Sequence, residues 1–214
     1  FNRRKVSKWI FVWPICQKRI LCNMKTIVFF VFDGMELLDF AGPYEVFSAA
    51  NQFIPSSGYS LRVLSPTGSS VKTINGVYIG AEDFGTIDVN PDVLVIAGGE
   101  GTKAFIGDPI QMKALQTLIN KSNIVASICS GARILAHLNM LDHIAFTTHP
   151  LVAREVAEQS REGQYIPDKK YVKSGKIFTA SAVSAGIDLA LNLVDRYEGP
   201  EVAAKTKEYI GYSP

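Results

Sequence analysis

Cys129 stands where a side chain could act as a nucleophile. It follows an apolar run of strand length, residues 124–128, and precedes a stretch with the apolar periodicity of a helix. Ser127, Ser130 and Gly131 are small enough to allow a sharp turn between the two elements. This pattern is typical of a nucleophile elbow, with cysteine in the place of serine. A helix N-terminus favours thiolate, so we expect the pKa of Cys129 to lie below that of a free cysteine. The alternative is a buried structural cysteine.

Asp39 is the acid that could exchange a proton with this thiol. It stands between Leu38 and Phe40 in a segment that follows the first apolar run. These neighbours should desolvate the carboxyl group and raise its pKa, so that it can hold a proton. The alternative is a structural helix cap. Glu36 and Glu45, the neighbouring acids, are interpreted as solvated helix residues.

Three further residues follow apolar runs and could contact a substrate or an oxyanion. Gly98 and Gly99 follow the run 93–97, where backbone N–H groups could approach a ligand and stabilise a developing anion. A plain turn is the alternative, and no nucleotide-binding glycine pattern fits them. His149 follows the run 145–148 and could pair with the cysteine, or could be structural. No cluster with metal-ligand spacing is visible in the sequence.

The elements that position these residues alternate between strands and helices. Strands are predicted over 26–32, 60–64, 93–97, 123–128, 145–148 and 177–180. Hairpins are predicted at Asn75-Gly76 and Ser174-Gly175. Helices are predicted from a cap at Asp108, along a face of Ile187, Leu191 and Val194, and over 202–210.

Strand and helix alternation with Val- and Ile-rich runs implies a mostly parallel sheet that is covered on both faces. In such folds the ligand lies outside the carboxyl ends of the strands. Asp39, Gly98, Cys129 and His149 each follow a different predicted strand. We therefore expect these four residues to converge at one edge of the sheet.

Composition places the chain among ordinary folded domains. Its 214 residues are 47% hydrophobic and 20% charged, which is enough to bury a core without disulfides or a structural metal. Three cysteines make no disulfide framework and fit a reducing compartment, so we expect a cytoplasmic protein. Residues 24–214 contain 16 basic and 20 acidic residues, and this mildly acidic balance argues against a nucleic-acid partner.

The first 23 residues differ from the rest. They contain six basic residues and no acid, and Met24 opens the first strand-like run. Their apolar stretch is too short to span a bilayer. We expect residues 1–23 to be a non-native or disordered extension and residues 24–214 to form a single domain. A targeting or surface-binding segment is the alternative.

Several short motifs together resemble the ThiJ/PfpI superfamily, which has the class I glutamine-amidotransferase-like fold. The resemblance extends from Met24 to the end of the chain. L-D-F-A-G-P-Y-E, C-S-G and T-T-H are most similar to the isonitrile hydratase branch, which some AraC-type regulators share as a sensor domain. The motifs lie at 38–45, 97–99, 127–131, 147–149 and 185–188.

The resemblance implies a flavodoxin-like three-layer α/β sandwich with a nucleophile elbow. It also implies that Cys129 is the nucleophile and Asp39 its acid/base partner. Ser130 is the third catalytic residue implied, and it stands where the branch usually has threonine, which also offers a hydroxyl. Pro150 stands where the branch usually has an aromatic residue. Peptidase-like members have histidine directly after the cysteine, so the serine at this position argues against a protease.

The implied activity is that of a hydro-lyase, which converts an isonitrile and water into an N-substituted formamide through a thioimidate on Cys129. One alternative is a cofactor-independent glyoxalase or deglycase, and another is a non-enzymatic metabolite or redox sensor that uses the same cysteine. We expect a small-molecule substrate, a homodimer, no cofactor, and no nucleic-acid or membrane partner. A DNA-binding regulator would need a helix-turn-helix after Pro214, where this sequence ends.

Overall fold

The computed structural model of the chain describes residues 24–86 and 88–213, and its central element is a seven-stranded sheet. The extension expected over 1–23 lies outside the described residues. In sheet order the strands are β10 (Tyr171–Ser174), β11 (Ile177–Ala180), β7 (Ile124–Ile128), β6 (Val93–Ile96), β1 (Lys25–Phe30), β2 (Tyr59–Ser65) and β5 (Glu82–Asp83). β10 is antiparallel to β11, and every other pairing in this sheet is parallel.

Two small sheets lie beside the central one. β3 (Val71–Lys72) pairs with β4 (Tyr78–Ile79) in an antiparallel hairpin, and β8 (Ala145–Phe146) pairs in parallel with β9 (Gln164–Tyr165). Both predicted hairpins are confirmed. The glycines that turn them have positive φ angles, +87° at Gly76 and +61° at Gly175, which glycine adopts without strain.

The helices form a layer on each face of the central sheet. They are α1 (Leu37–Ala50), α2 (Gly101–Ile106), α3 (Pro109–Lys121), α4 (Ala132–His137), α5 (Ala153–Gln159), α6 (Ala185–Glu198) and α7 (Pro200–Tyr209). α1, α6 and α7 pack together in one layer, and α2, α3, α4 and α5 pack together in the other. The predicted three-layer α/β fold is therefore confirmed by these helices. None of them combines the length and the apolarity that crossing a bilayer requires.

The strands at the centre of the sheet are buried on both sides. Every residue of β6 and β7 is buried, as expected for parallel strands under two helical layers. The chain adds β2 and β5 on one side of β1, and β6, β7 and β11 on the other. The carboxyl ends of β1 and β6 therefore flank a topological switch point, which is where open α/β sheets bind ligands.

One local prediction needs correction, and a second is met only in part. The strand predicted over 145–148 is shorter and lies outside the central sheet, as β8. Its last two residues do not pair in a strand ladder. The backbone N of Thr147 donates to Thr179 Oγ1 at 2.8 Å, and Thr148 Oγ1 donates to Cys129 O at 2.8 Å. The predicted face of α6 packs against the core, but it is only partly buried. Val194 is buried, and Ile187 and Leu191 are half-buried.

α6 has a wide contact face because it packs against α1 and α7 as well as the sheet. Its crossing with α1 is close. A Cβ atom on Gly42 would lie 2.9 Å from Ile187 Cγ1, and one on Gly186 would lie 3.1 Å from Pro43 Cγ. Gly42 and Pro43 of the motif at 38–45 thus pack against Gly186 and Ile187 of the motif at 185–188.

Gly131 is the residue at which added volume should cost most stability in the turn after β7. A Cβ atom there would lie 2.8 Å from Ile96 O and 2.9 Å from Ala97 O, and backbone cannot move aside cheaply. We expect Gly131→Ala to lower the free energy of unfolding by about 1–3 kcal/mol. Thermal unfolding should show a fall of about 2–4 °C per kcal/mol. Gly80→Ala is the control, because a Cβ atom there meets nothing within 4 Å. Equal melting temperatures for the two variants would contradict the prediction.

Candidate active site

Cys129 lies at a strained turn directly after β7. Its φ angle is +55°, which is rare for a residue with a side chain and stores local strain. A 3-10 turn over Cys129–Gly131 leads into α4. Strand, turn and helix therefore follow in the order that the nucleophile-elbow pattern predicts.

The small residues around the turn are required by close backbone contact. A Cβ atom on Gly98 would lie 2.6 Å from Ser130 N and 2.8 Å from Ile128 O. The loop after β6 is thus pressed against the turn after β7. This contact also brings Asp39, which bonds to the same loop, toward the thiol.

The Asp39 carboxyl group is fully buried in the first turn of α1. Its Oδ2 atom accepts a hydrogen bond from Gly98 N at 2.8 Å, and its buried Oδ1 atom has no hydrogen-bond partner among the described residues. Burial raises the pKa of Asp39 from 3.8 to about 7, against the lowering effect of the Gly98 N–H, and the charge of Glu36 raises it further. The expected rise is confirmed. The helix-cap alternative is wrong, because the Asp39 carboxyl group accepts its hydrogen bond from the loop after β6 and not from an N–H group of α1.

The pKa of the Cys129 thiol is also raised, to about 12. Burial is the largest cause, followed by the negative charge of Asp39, while the amide and hydroxyl of Ser130 favour the charged sulfur and Glu36 disfavours it. The expectation of a lowered pKa is therefore wrong. The residue is 8% exposed and α4 has only six residues, so desolvation outweighs the helix dipole.

Cys129 and Asp39 behave as a coupled pair. The Asp39 charge opposes ionisation of the thiol, and this opposition disappears when the carboxyl group binds a proton. The singly protonated pair therefore holds its proton on the sulfur, because the thiol has the higher pKa. The Asp39 Oδ1 atom is the acceptor that no described residue occupies.

The Gly98 and Gly99 amides, expected to be oxyanion donors, donate within the protein instead. Gly98 N bonds to Asp39, and Gly99 N donates to Ser130 Oγ at 2.8 Å. Each amide thus holds a side chain beside the sulfur and is not free for a substrate. The Ser130 amide and hydroxyl lie close enough to the sulfur to lower the pKa of the thiol, and the hydroxyl also donates to Gly99 O at 3.4 Å.

His149 lies at the site without a hydrogen bond to the thiol among the described residues. Its backbone N donates to Cys129 O at 3.4 Å, and its Nδ1 atom accepts from Leu151 N at 3.3 Å, which caps the 3-10 turn Pro150–Val152. When the ring is neutral, the proton is then on Nε2. The structure thus brings His149 to the site expected for it, but its visible bonds are structural.

A cleft of about 180 Å³ opens over Cys129. Ser130, Gly99 and His149 line it, as the sequence predicted, together with two acids, Glu36 and Glu100. Its remaining lining is apolar and consists of Ile74, Leu151, Val152 and Val183.

Most of this lining was not predicted from the sequence, because it comes from turns. Ile74 follows the β3 strand of the hairpin and is 51% exposed, and Leu151 follows Pro150 and is 89% exposed. A large apolar residue beside a turn was the available signal. Glu36 was interpreted as a solvated helix residue, and the structure places it in the cleft instead.

Arg133 is a further residue near the site that was not predicted from the sequence. It is 4% exposed and donates to Glu155 through Nε at 3.0 Å and Nη2 at 2.8 Å, which ties α4 to α5. Its Nη1 atom donates to Thr102 Oγ1 at 3.3 Å, and that hydroxyl donates to Gly99 O at 2.8 Å. Arg133 therefore links the helix after the elbow to two segments around the cleft. An arginine within the apolar pattern of α4 was the signal.

Comparison with known proteins identifies the family. The model of the DJ-1/PfpI family matches residues 25–196. The chain belongs to the DJ-1/PfpI family. It is 26% identical over 195 residues to an isonitrile hydratase from Pseudomonas putida, with 88% of this chain and 78% of that protein covered.

The chain is also similar to a regulator and to a solved structure. The chain is 26% identical over 181 residues to the HTH-type transcriptional regulator CdhR from Pseudomonas aeruginosa, and it spans 53% of that protein's length. Among solved structures, a ThiJ/PfpI family protein from Pseudomonas syringae superposes with a TM-score of 0.80 at 23% identity. This match covers 95% of this chain and 81% of that one, and it supports the fold.

The buried carboxyl group should make stability depend on pH. Because the folded-state pKa of Asp39 is about 7 and its ordinary value is 3.8, the protonated group stabilises the fold below pH 3.8, and this contribution is lost as the pH rises through about 7. The difference corresponds to roughly 4 kcal/mol at most. We expect Asp39→Asn to unfold at a higher temperature than the parent at pH 8, and to lose this advantage near pH 4.

Thermal unfolding between pH 4 and pH 8 measures this effect. Asp195→Asn is the matched control, since Asp195 is an exposed carboxylate on α6. A stability difference between Asp39→Asn and the parent that stays constant over this pH range would show that the Asp39 carboxyl group does not titrate as described.

Proposed function

We propose that this protein is a cysteine-dependent hydratase, which converts an isonitrile and water into an N-substituted formamide. The proposal rests on the environment of the Asp39 carboxyl group. It is fully buried beside the Cys129 turn, with one oxygen held by Gly98 N and the other unpartnered among the described residues. A carboxyl group with a pKa of about 7 in this position can take a proton from the thiol and deliver it to substrate.

In the first step, the Cys129 sulfur attacks the terminal carbon of the isonitrile and a carbon–sulfur bond forms. The thiol proton passes to Asp39 and from there to the same carbon, which gives a thioimidate with a C=N bond. The Ser130 amide and hydroxyl stabilise negative charge on the sulfur as the proton leaves.

In the second step, water adds to the carbon of the C=N bond. One proton of the water reaches the nitrogen, and the other passes through the Asp39 carboxylate to the sulfur. The carbon–sulfur bond then breaks, which releases the formamide and restores the thiol. The cycle consumes one isonitrile and one water, and it needs no electron donor or acceptor.

The cleft suits a small substrate. Its volume of about 180 Å³ is below the range of about 300–1,000 Å³ typical of drug-sized ligands. Ile74, Leu151, Val152 and Val183 offer apolar contacts to the substituent on nitrogen. The similarity to an isonitrile hydratase over 88% of the chain supports the same substrate class.

A metabolite-binding domain without catalysis is the second candidate. It is favoured by the similarity to a transcriptional regulator over 84% of this chain. A panel of an isonitrile, methylglyoxal and glutamine separates the two classes. Formamide release supports the hydratase, lactate formation from methylglyoxal would assign a glyoxalase, and binding without turnover would assign a sensor.

Asp39→Asn tests the proton transfer itself. The amide is nearly isosteric with the carboxyl group but carries no transferable proton, so we expect kcat to fall by about 10²–10⁴-fold. KM should change far less, as expected for a group used in the transition state. Formamide release by this variant and by Asp195→Asn, compared with the parent protein, measures the effect. Activity within about threefold of the parent would overturn the role of Asp39.

The pH dependence of kcat/KM tests the protonation state of the pair. The reactive form carries one proton shared by Cys129 and Asp39, and below pH 7 the pair gains a second. We therefore expect kcat/KM to rise about tenfold per pH unit below pH 7 and to level off above it. A rate that falls as the pH rises through 7 would mean that the doubly protonated pair is the active form.

A further inference from the structure

We propose, building on the proposed function, that the cleft selects substrates whose nitrogen substituent carries a positive charge, and that Glu36 is the residue that recognises this charge. The substrate class would then be aminoalkyl isonitriles with a short apolar arm between the ammonium group and the reacting carbon.

Glu36 lies in the wall of the same cleft as Cys129. It directly precedes α1, and its backbone N donates to Gly98 O at 2.9 Å, which fixes its main chain against the loop that holds Asp39. The residue is half-buried, and its carboxylate makes no hydrogen bond or ion pair with any residue in 24–86 or 88–213. A partly desolvated charge of this kind lacks a partner that a cationic ligand can supply.

The other acid of the cleft is compensated. Glu100 forms an ion pair with Lys103 at 2.8 Å, and Arg133 Nη1 lies 3.6 Å from its second oxygen. Glu36 is therefore the source of uncompensated negative charge among the described residues of the cleft.

This charge works against the proposed chemistry when the cleft is empty. Glu36 raises the pKa of both Asp39 and Cys129, so it opposes formation of the thiolate. A cation bound next to Glu36 would cancel that opposition while the sulfur attacks. The apolar side chains of Ile74 and Val183 line the same cleft and suit the hydrocarbon arm.

The alternative is that Glu36 has a purely structural role at the start of α1. An acid just before a helix is favourable to the helix dipole, although the Glu36 side chain makes no capping hydrogen bond. If this were its whole role, Glu36→Gln would lower the melting temperature without changing the charge preference of the cleft. Glu45→Gln is the matched control, because it removes the same charge from an exposed site on α1.

Charged thiol reagents test the charge preference without any turnover. The full chain is treated with methanethiosulfonates that carry an ammonium-ethyl, a methyl or a sulfonato-ethyl group. Each forms a disulfide with the thiol and releases methanesulfinate. Peptide mapping follows Cys129 separately from Cys16 and Cys22.

We expect the parent protein to react faster with the cationic reagent than with the anionic one. Glu36→Gln should lower this ratio of rates by about tenfold, the size of effect expected for one charge in a partly desolvated cleft. Glu45→Gln should leave the ratio within about twofold of the parent. A ratio that Glu36→Gln leaves unchanged, or that both variants change equally, would overturn the assignment.

Turnover of differently charged isonitriles is the second test of the charge preference. We expect kcat/KM to decrease from an aminoalkyl to an alkyl to a carboxyalkyl isonitrile, and Glu36→Gln to remove most of the difference. If no isonitrile is turned over but the reagent ratio responds to Glu36, the proposed function fails and the charge selection stands. If isonitriles are turned over but Glu36→Gln changes neither the reagent ratio nor the substrate preference, the proposed function stands and the charge selection fails.

Discussion

The site depends on one buried hydrogen bond, from Gly98 N to Asp39 Oδ2. A buried carboxylate needs several donors to remain charged, and Asp39 has this single one among the described residues. Its pKa therefore rises into the range where a proton can be both taken and returned. The same bond joins α1 to the end of β6, so the chemistry and the packing of the two segments are inseparable.

The parallel sheet supplies the geometry that this bond requires. β1, β6 and β7 are neighbours, and the segments that follow them meet at one edge. Contact between these segments is backbone against backbone, which is why a Cβ atom at Gly98 or Gly131 would collide with main-chain atoms. A strained φ angle at Cys129 is tolerated because the buried strand before it and the helix after it hold both ends.

The strands, the helices and the residues that the strand ends bring together could be predicted from the sequence, because apolar periodicity and turn residues are local signals. The position of Asp39 near Cys129 followed from the rule that ligands bind at the carboxyl ends of parallel strands. Features that depend on contacts between distant segments could not be predicted. Desolvation of the thiol, the partners of the Gly98 and Gly99 amides, and the placement of residues 145–148 beside the sheet all depend on tertiary packing.

Burial of the thiol has a consequence for its resting state. Oxidation and alkylation follow thiolate character and exposure, and Cys129 has little of either because its pKa is raised and it is 8% exposed. The same burial raises the pKa of Asp39, so the low polarity that protects the sulfur also makes this carboxyl group a stronger base for the proposed proton transfer. Reactivity would then appear only when a substrate in the cleft accepts the electron pair of the sulfur, which couples thiol activation to binding.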